Sequence, residues 1–271
     1  MLESSLAAAL AEARVPAMAR LGLSIGTAMG DFDVGESPPL SPHLLTLSLA
    51  ERFGLSGPLS TSSVTCASAL YALERAEIEL ALGRADAMAL AGSDRLGPFN
   101  RAGFEALGVL GTRGLVLGEA GGAAVLERVA GARARGAPIR ALLLGRSLRA
   151  DNLHLTAVEE GGRAMEVAIR AALDEAALGI GDVARIVWTA HANPAYGRMY
   201  EQVLGRLFGE PGPPRSTWED RFGHVMAASG VVALVHAAWL FARGERGPVL
   251  SLVVGFGGQN GALVLAPDGA A

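Results

Sequence analysis

The chain contains no lysine and a single cysteine, Cys66; all 23 of its Lys and Arg positions are arginine. One cysteine excludes an intrachain disulfide and fits a reducing compartment. Charged residues make up only 18% of the chain and the net charge is −4, a balance that does not point to nucleic acid. No apolar run is long enough to cross a membrane. The opening MLESSLAAALAEARVPAMAR places acidic residues in a helical pattern, without the basic lead and unbroken apolar core of a signal peptide. The expectation is a soluble cytoplasmic protein that engages neither nucleic acid nor a membrane. Aromatics are scarce at 5%, while apolar residues reach 51% and glycine and alanine abound, so a large core of closely packed elements is expected.

The stretch Pro58–Arg84, PLSTSSVTCASALYALERAEIELALGR, organises the rest. A short β-like run gives way at Cys66 to a helix of small and apolar residues. A thiol at a helix start lies beside unpaired N–H groups and the positive end of the dipole, which favour the thiolate. Taken alone, Cys66 is equally readable as a small buried hydrophobe.

Along the chain the pattern predicts a helix over 3–14, a strand over 21–26, a proline-rich loop over 31–42 and a helix over 43–52. A strand over 59–64 and the cysteine helix follow, then a strand over 85–92 and a short helix over 101–107. Residues 114–129, apolar with central glycines, suit a bent or bulged strand pair. ARARGAP (132–138) reads as a polar connector and sets the expected halves, 1–137 and 138–271. The second half is expected to run strand 139–146, helix 163–178, strand 184–190, helix 199–208, an extended piece at 214–218, helix 224–242, and strands 249–255 and 260–266. Strands alternating with helices indicate an α/β fold with a mainly parallel sheet.

The halves repeat. At a spacing of 161 residues, Ala67-Ser68 corresponds to Ala228-Ser229, Ala72-Leu73 to Ala233-Leu234, Ala76 to Ala237 and Gly83 to Gly244. Two equivalent small-residue helices are expected to pack closely. The second half opens with a strand that the first half lacks.

Five histidines are present. His191 follows a strand, where open α/β sheets place ligand sites. His224 precedes the second small-residue helix, and the glycine-rich turn VVGFGGQNG (253–261) follows a strand. Cysteine with histidines suits either a thiolate nucleophile with acid/base or hydrogen-bond partners, or a metal site. The scattered positions lack the paired spacing of metal ligands. His154 and His236 are read as structural.

From Leu21 to Pro267 the chain resembles the β-ketoacyl-acyl carrier protein synthases, thiolase-fold condensing enzymes. VTCASAL resembles their nucleophile motif, RGLVLGEAGGAAVLE their glycine-rich acidic segment with Glu119, and DNLHLTA (151–157) their linking segment. His191 and Gly223-His224 stand where the family has its two catalytic histidines, and GFGGQN (255–260) matches the closing loop. The resemblance implies a thiolase-like fold: duplicated mixed-sheet halves in a layered αβαβα arrangement, the first half without its opening strand. It implies Cys66 as acyl acceptor, His191 and His224 as donors to the oxygen of a decarboxylating malonyl thioester, and backbone N–H groups of Cys66 and Phe256 as oxyanion donors. The Phe256 ring would gate the acyl pocket; Glu119, Gly257, Gly258 and Asn260 would support the site. No cofactor or metal is called for. Partners would be acyl carrier protein or coenzyme A thioesters, in a homodimer or a heterodimer with another ketosynthase subunit.

Three departures stand out. Where the family has a lysine five residues before the second histidine, this chain has Glu219, an anion that raises the proton affinity of nearby groups. Arg221 offers a charge nearby, with a different fork geometry. After His191 the family's threonine-rich turn is replaced by Ala192-Asn193-Pro194-Ala195. The chain is also shorter than usual members, and the expectation is that another chain covers the missing strand or that the true start lies upstream. Two readings result: an acyltransferase of fatty-acid or polyketide synthesis, or a non-catalytic partner subunit like a chain-length factor. A thioesterase- or cyclase-like activity on the same fold rests on analogy alone.

Overall fold

The structure, a computed structural model, describes residues 1–29, 41–111, 114–189 and 193–269. It divides into two compact units. The first comprises Met1–Gly103, Gly118–Ile139 and Val225–Val235; the second comprises Phe104–Leu117, Arg140–His224 and His236–Ala271. The proline-rich loop read from the sequence falls, for residues 31–40, outside the described residues.

In the first unit, helix α1 (Leu2–Ala13) leads to strand β1 (Leu21–Gly26), helix α2 (Pro42–Phe53), strand β2 (Leu59–Ser62), helix α3 (Ser68–Ala81) and strand β3 (Ala87–Asp94). Helix α4 (Pro98–Ala106), which belongs to this unit up to Gly103, strand β4 (Ala120–Glu127) and helix α5 (Val129–Ala134) follow. The sheet order is β2-β1-β3-β4, with β4 alone antiparallel. β1 and β3 are almost continuously apolar because both faces are covered: Leu23, Ile25, Ala89 and Ala91 pack with Leu2, Leu6 and Leu49 from α1 and α2.

The second unit runs β5 (Leu142–Ala150), α6 (Arg163–Glu175), β6 (Arg185–Trp188), α7 (Pro194–Phe208), β7 (Arg215–Ser216), α8 (Glu219–Phe222), the part of α9 (Ser229–Ala242) from His236 onward, β8 (Val249–Gly255) and β9 (Gln259–Ala266); α9 up to Val235 belongs to the first unit. The second sheet's order, β5-β9-β8-β6-β7, repeats that of the first sheet with one strand more. β5 lies antiparallel beside β9, and among the described residues β4 has no such neighbour. Instead α1 lies on β4: Ser5 donates its Oγ hydrogen to the Gly121 carbonyl at 2.7 Å. A methyl group at Gly121 would come within 2.8 Å of the Leu2 nitrogen, so glycine is required for that approach.

The duplication extends to the backbone. α3 and α9 are both 14 residues long and begin at Ser68 and Ser229, positions 161 apart. Before each stands a residue in the left-handed region, Thr65 at φ 48° and Met226 at φ 49°. Each helix's first serine donates to that residue's carbonyl, Ser68 to Thr65 at 2.6 Å and Ser229 to Met226 at 2.7 Å. The close packing expected of the two helices is present within the first unit: a methyl group at Gly230 would lie 2.9 Å from the Leu70 nitrogen.

Some elements differ from the sequence reading. Within residues 114–129 there is one strand, β4, paired with β3 along its whole length, with Leu115 and Leu117 in single bridges before it. The connector after it is half helical: Arg135 closes α5 by donating to Glu127 and to the carbonyls of Ala13 and Arg14. α7 begins five residues earlier than the periodicity indicates, because Asn193 accepts from the Ala195 N–H at 2.9 Å and Pro194 occupies the first turn. α3 begins at Ser68, two residues after Cys66, since the left-handed Thr65 interposes a tight turn.

Candidate functional site

Cys66 lies in that turn, 4% exposed, between the end of β2 and the first turn of α3. The turn is held from both sides. Ala67 donates its N–H to Val64 O at 3.1 Å, Ser68 N–H reaches Thr65 O at 3.2 Å, and Ser68 Oγ accepts from Val64 N–H at 2.9 Å. The sulfur is therefore placed by a rigid, doubly braced bend.

The twin turn in the first unit, at residues 226–228, is occupied by a residue that the sequence reading missed. Asp94 ends β3 and is 1% exposed. Its carboxyl accepts from Thr27 Oγ1 at 2.9 Å, Ala28 N–H at 3.0 Å and Ala227 N–H at 3.0 Å. Burial holds this carboxyl above the usual aspartate range, against the pull of the Ala227 amide and the other donors. An acidic residue at the C-terminal end of a parallel strand was the signal available for it. Glu119 is also held locally: its Oε1 accepts from the Leu96 N–H at 2.6 Å. With Ser93 and Arg95 it borders a cleft of about 740 Å³ in the first unit, and Cys66 is not among the residues lining that cleft.

In the second unit, His191 lies outside the described residues. His224 is 3% exposed and sits at the exit of α8. Gly223, at φ 73°, reverses the chain there, and the His224 N–H then donates to Val116 O at 2.7 Å. This reversal folds the His224 ring back over the start of α8, where Nδ1 meets Glu219 Oε1 at 2.7 Å. Both side chains are almost fully buried, at 3% and 5% exposure. Tyr200 of α7 lies close enough to feel Glu219: burial first, then the Glu219 charge, push its phenol strongly up and keep it neutral.

The closing loop joins β8 to β9 through Phe256, Gly257 and Gly258, the two glycines at φ 77° and 72°. A side chain at Gly258 would collide with Asp151, whose N–H donates to Gly258 O at 3.0 Å. Gly257 N–H donates to Leu155 O at 2.7 Å, and Asn260 Nδ2 to Gly258 O at 2.8 Å. The DNLHLTA segment and the glycine turn thus brace one another. Phe256 is buried in the core of the second unit, its ring 5.7 Å from that of Phe104. Among the described residues no cluster of His, Cys, Asp and Glu is arranged to hold a metal ion, and no helix is long and apolar enough to cross a membrane.

Residues 19–132 match the family model described as β-ketoacyl synthase, N-terminal domain. In sequence the chain is similar to the 3-oxoacyl-[acyl-carrier-protein] synthase 2 of Vibrio cholerae, 27% identical over 255 residues that cover 80% of this chain and 62% of the relative. The chain thus spans about three fifths of that relative's length. In structure it is similar to a β-ketoacyl synthase from Burkholderia phymatum, with a TM-score of 0.87, 22% identity, and coverage of 98% of this chain and 81% of the other. The ketosynthase–chain length factor complex of Xenorhabdus doucetiae matches with a TM-score of 0.82, 21% identity, and coverage of 98% and 78%. At these identities the likeness of the two solved structures is one of fold, a thiolase-like mixed α/β fold with two mixed sheets.

Proposed function

We propose, from its similarity to β-ketoacyl synthases in sequence and in fold, that the chain is a member of that family and acts as an acyltransferase of fatty-acid or polyketide synthesis with Cys66 as the acyl carrier. The observation carrying this reading is the braced turn that sets a lone, buried sulfur at the start of α3. The Cys66 sulfur attacks the carbonyl of an acyl thioester on acyl carrier protein or coenzyme A, and the donor leaves as a free thiol. A malonyl thioester then loses carbon dioxide; the electron pair of the broken C–C bond becomes an enolate whose oxygen accepts N–H bonds from His191 and His224. The enolate carbon attacks the Cys66 thioester, and backbone N–H groups of Cys66 and Phe256 serve as oxyanion donors. The glycine-rich closing loop, braced through Asp151 and Asn260, supports the Phe256 backbone. A homodimer or a heterodimer with another ketosynthase subunit belongs to the same reading, with 1–137 and 138–271 as its duplicated halves.

Glu219 favours a second reading, a non-catalytic partner of another ketosynthase. A carboxylate on Nδ1 takes up the one proton that a neutral His224 could offer from its other nitrogen. Intact-mass measurement separates the two. After incubation with acyl-coenzyme A and acyl-carrier-protein donors, the protein is expected to gain one acyl group, and Cys66→Ala to gain none. No adduct from any donor in folded protein selects the partner subunit.

A further inference from the structure

The contact between Glu219 and His224 decides which nitrogen of the imidazole carries the proton. A neutral imidazole has one N–H, and an ionised carboxylate can only accept. Glu219 Oε1 lies 2.7 Å from Nδ1, and a carboxylate in that place would hold the proton on Nδ1. Nε2 then bears a lone pair in the neutral ring, and it donates only when the ring is doubly protonated. The alternative pair, a protonated Glu219 donating to a bare Nδ1, would leave the proton on Nε2. Burial of both groups makes the choice consequential, because water is not at hand to replace either partner.

We propose that Glu219 is a positioning residue that keeps His224 protonated on Nδ1, so that His224 serves the malonyl thioester as an imidazolium paired with a carboxylate. The charge that faces the enolate oxygen is then carried by the histidine ring itself. A donor in a charged ring makes a shorter and stronger bond to a developing oxyanion than a neutral one does. The adjacent carboxylate stabilises that charge, as the aspartate of a Ser-His-Asp triad stabilises its imidazolium. No proton is transferred in the decarboxylation itself: the C–C bond electrons pass into the enolate, and the Nε2–H only bonds its oxygen. The role of His224 in that step rests on the acyltransferase reading above; the position of the proton does not.

The test uses the full chain labelled with ¹⁵N-histidine, with His224→Gln to identify the His224 ring signals. The expected result is a ring whose Nδ1 is protonated at every pH where the protein is folded, and whose Nε2 alone gains and loses a proton. A neutral ring with its proton on Nε2 and a bare Nδ1 would overturn the proposal. Glu219→Lys places an ammonium donor against Nδ1 and is expected to move the neutral proton to Nε2, while Glu219→Gln, which can donate or accept, is expected to lose the fixed preference. In single-turnover decarboxylation of malonyl-coenzyme A, Glu219→Gln is expected to fall about tenfold, the worth of one charge-assisted bond. Glu219→Lys is expected to recover part of that loss, which a purely structural role for Glu219 would not allow. Ring signals unchanged in both folded variants would sink the idea. Should the wild type decarboxylate nothing, the ring signals alone decide the proton's place, and the Cys66 mass measurement decides the function.

Discussion

Asp94, which is buried, and His236, which is half-buried, are titratable groups whose effects on stability run in opposite directions with pH. Removing the Asp94 carboxyl leaves Thr27 Oγ1 and the amides of Ala28 and Ala227 without their acceptor. Asp94→Ala is therefore expected to cost about 3 kcal/mol in chemical denaturation, since an unsatisfied buried donor costs about 1–3 kcal/mol. The folded Asp94 carboxyl titrates above its unfolded value, so the native state binds more protons. Its contribution is complete below the ordinary aspartate value of about 3.9 and is lost as pH rises through the folded value. Asp94→Asn removes that fall, so the melting temperature of the wild type relative to this variant should decline as pH rises from about 3.9 upward. His236 stacks on Trp239 at 5.5 Å and tilts against Trp218 at 5.7 Å. Burial first, and Arg185 second, hold its imidazole below the ordinary value of 6.5. Its contribution is present above that value and is lost as pH falls through the folded one. His236→Gln should therefore flatten the loss of melting temperature on acidification, measured between about pH 7 and pH 5.

Among the elements, α1 is held at its C-terminal end by one side chain. Arg135 serves Glu127 and two α1 carbonyls, so Arg135→Ala is expected to destabilise by about 1–3 kcal/mol. Amide exchange should show the loss concentrated in α1 and the end of β4. Gly230→Val forces a side chain against the Leu70 backbone where only 2.9 Å is available even for a methyl group. It should cost about 1–3 kcal/mol, as overpacking does. Such elements were unequally legible. β1 and β8 stand out in the sequence because mainly apolar runs, interrupted by Ser24 and Ser251 and closed by Gly26 and Gly255, admit one reading. α3 and α9 announce themselves by small residues repeated at one spacing. α5 does not, because its residues Val129–Ala134 become helical through Arg135 and the burial of Ala132, which are tertiary facts. The site divides the same way. Cys66, His224 and the closing glycines lie in local motifs, while the meeting of Glu219 with His224 depends on the reversal at Gly223, and the role of Asp94 depends on an amide 133 residues away.

For the molecule as a whole, the two sheets offer a comparison within one chain. β9 is paired on both sides, by β5 and β8, whereas β4 is paired by β3 only among the described residues. Its outward amides rely on α1 and solvent, so exchange in β4 is expected to be faster than in β9 at the same pH and temperature. Equal protection of the two strands in the isolated chain would mean that β4 is covered in solution. The same duplication bears on ancestry through Asp94. An ancestral gene copied once would begin with two identical turns, one before each small-residue helix. In the second copy the Ala227 amide is engaged from within by Asp94, so that packing holds this turn, and a methyl group stands in the place where its twin has Cys66. Divergence of the two halves can thus be followed at a single pair of positions, one kept by packing and the other available to be kept for its sulfur.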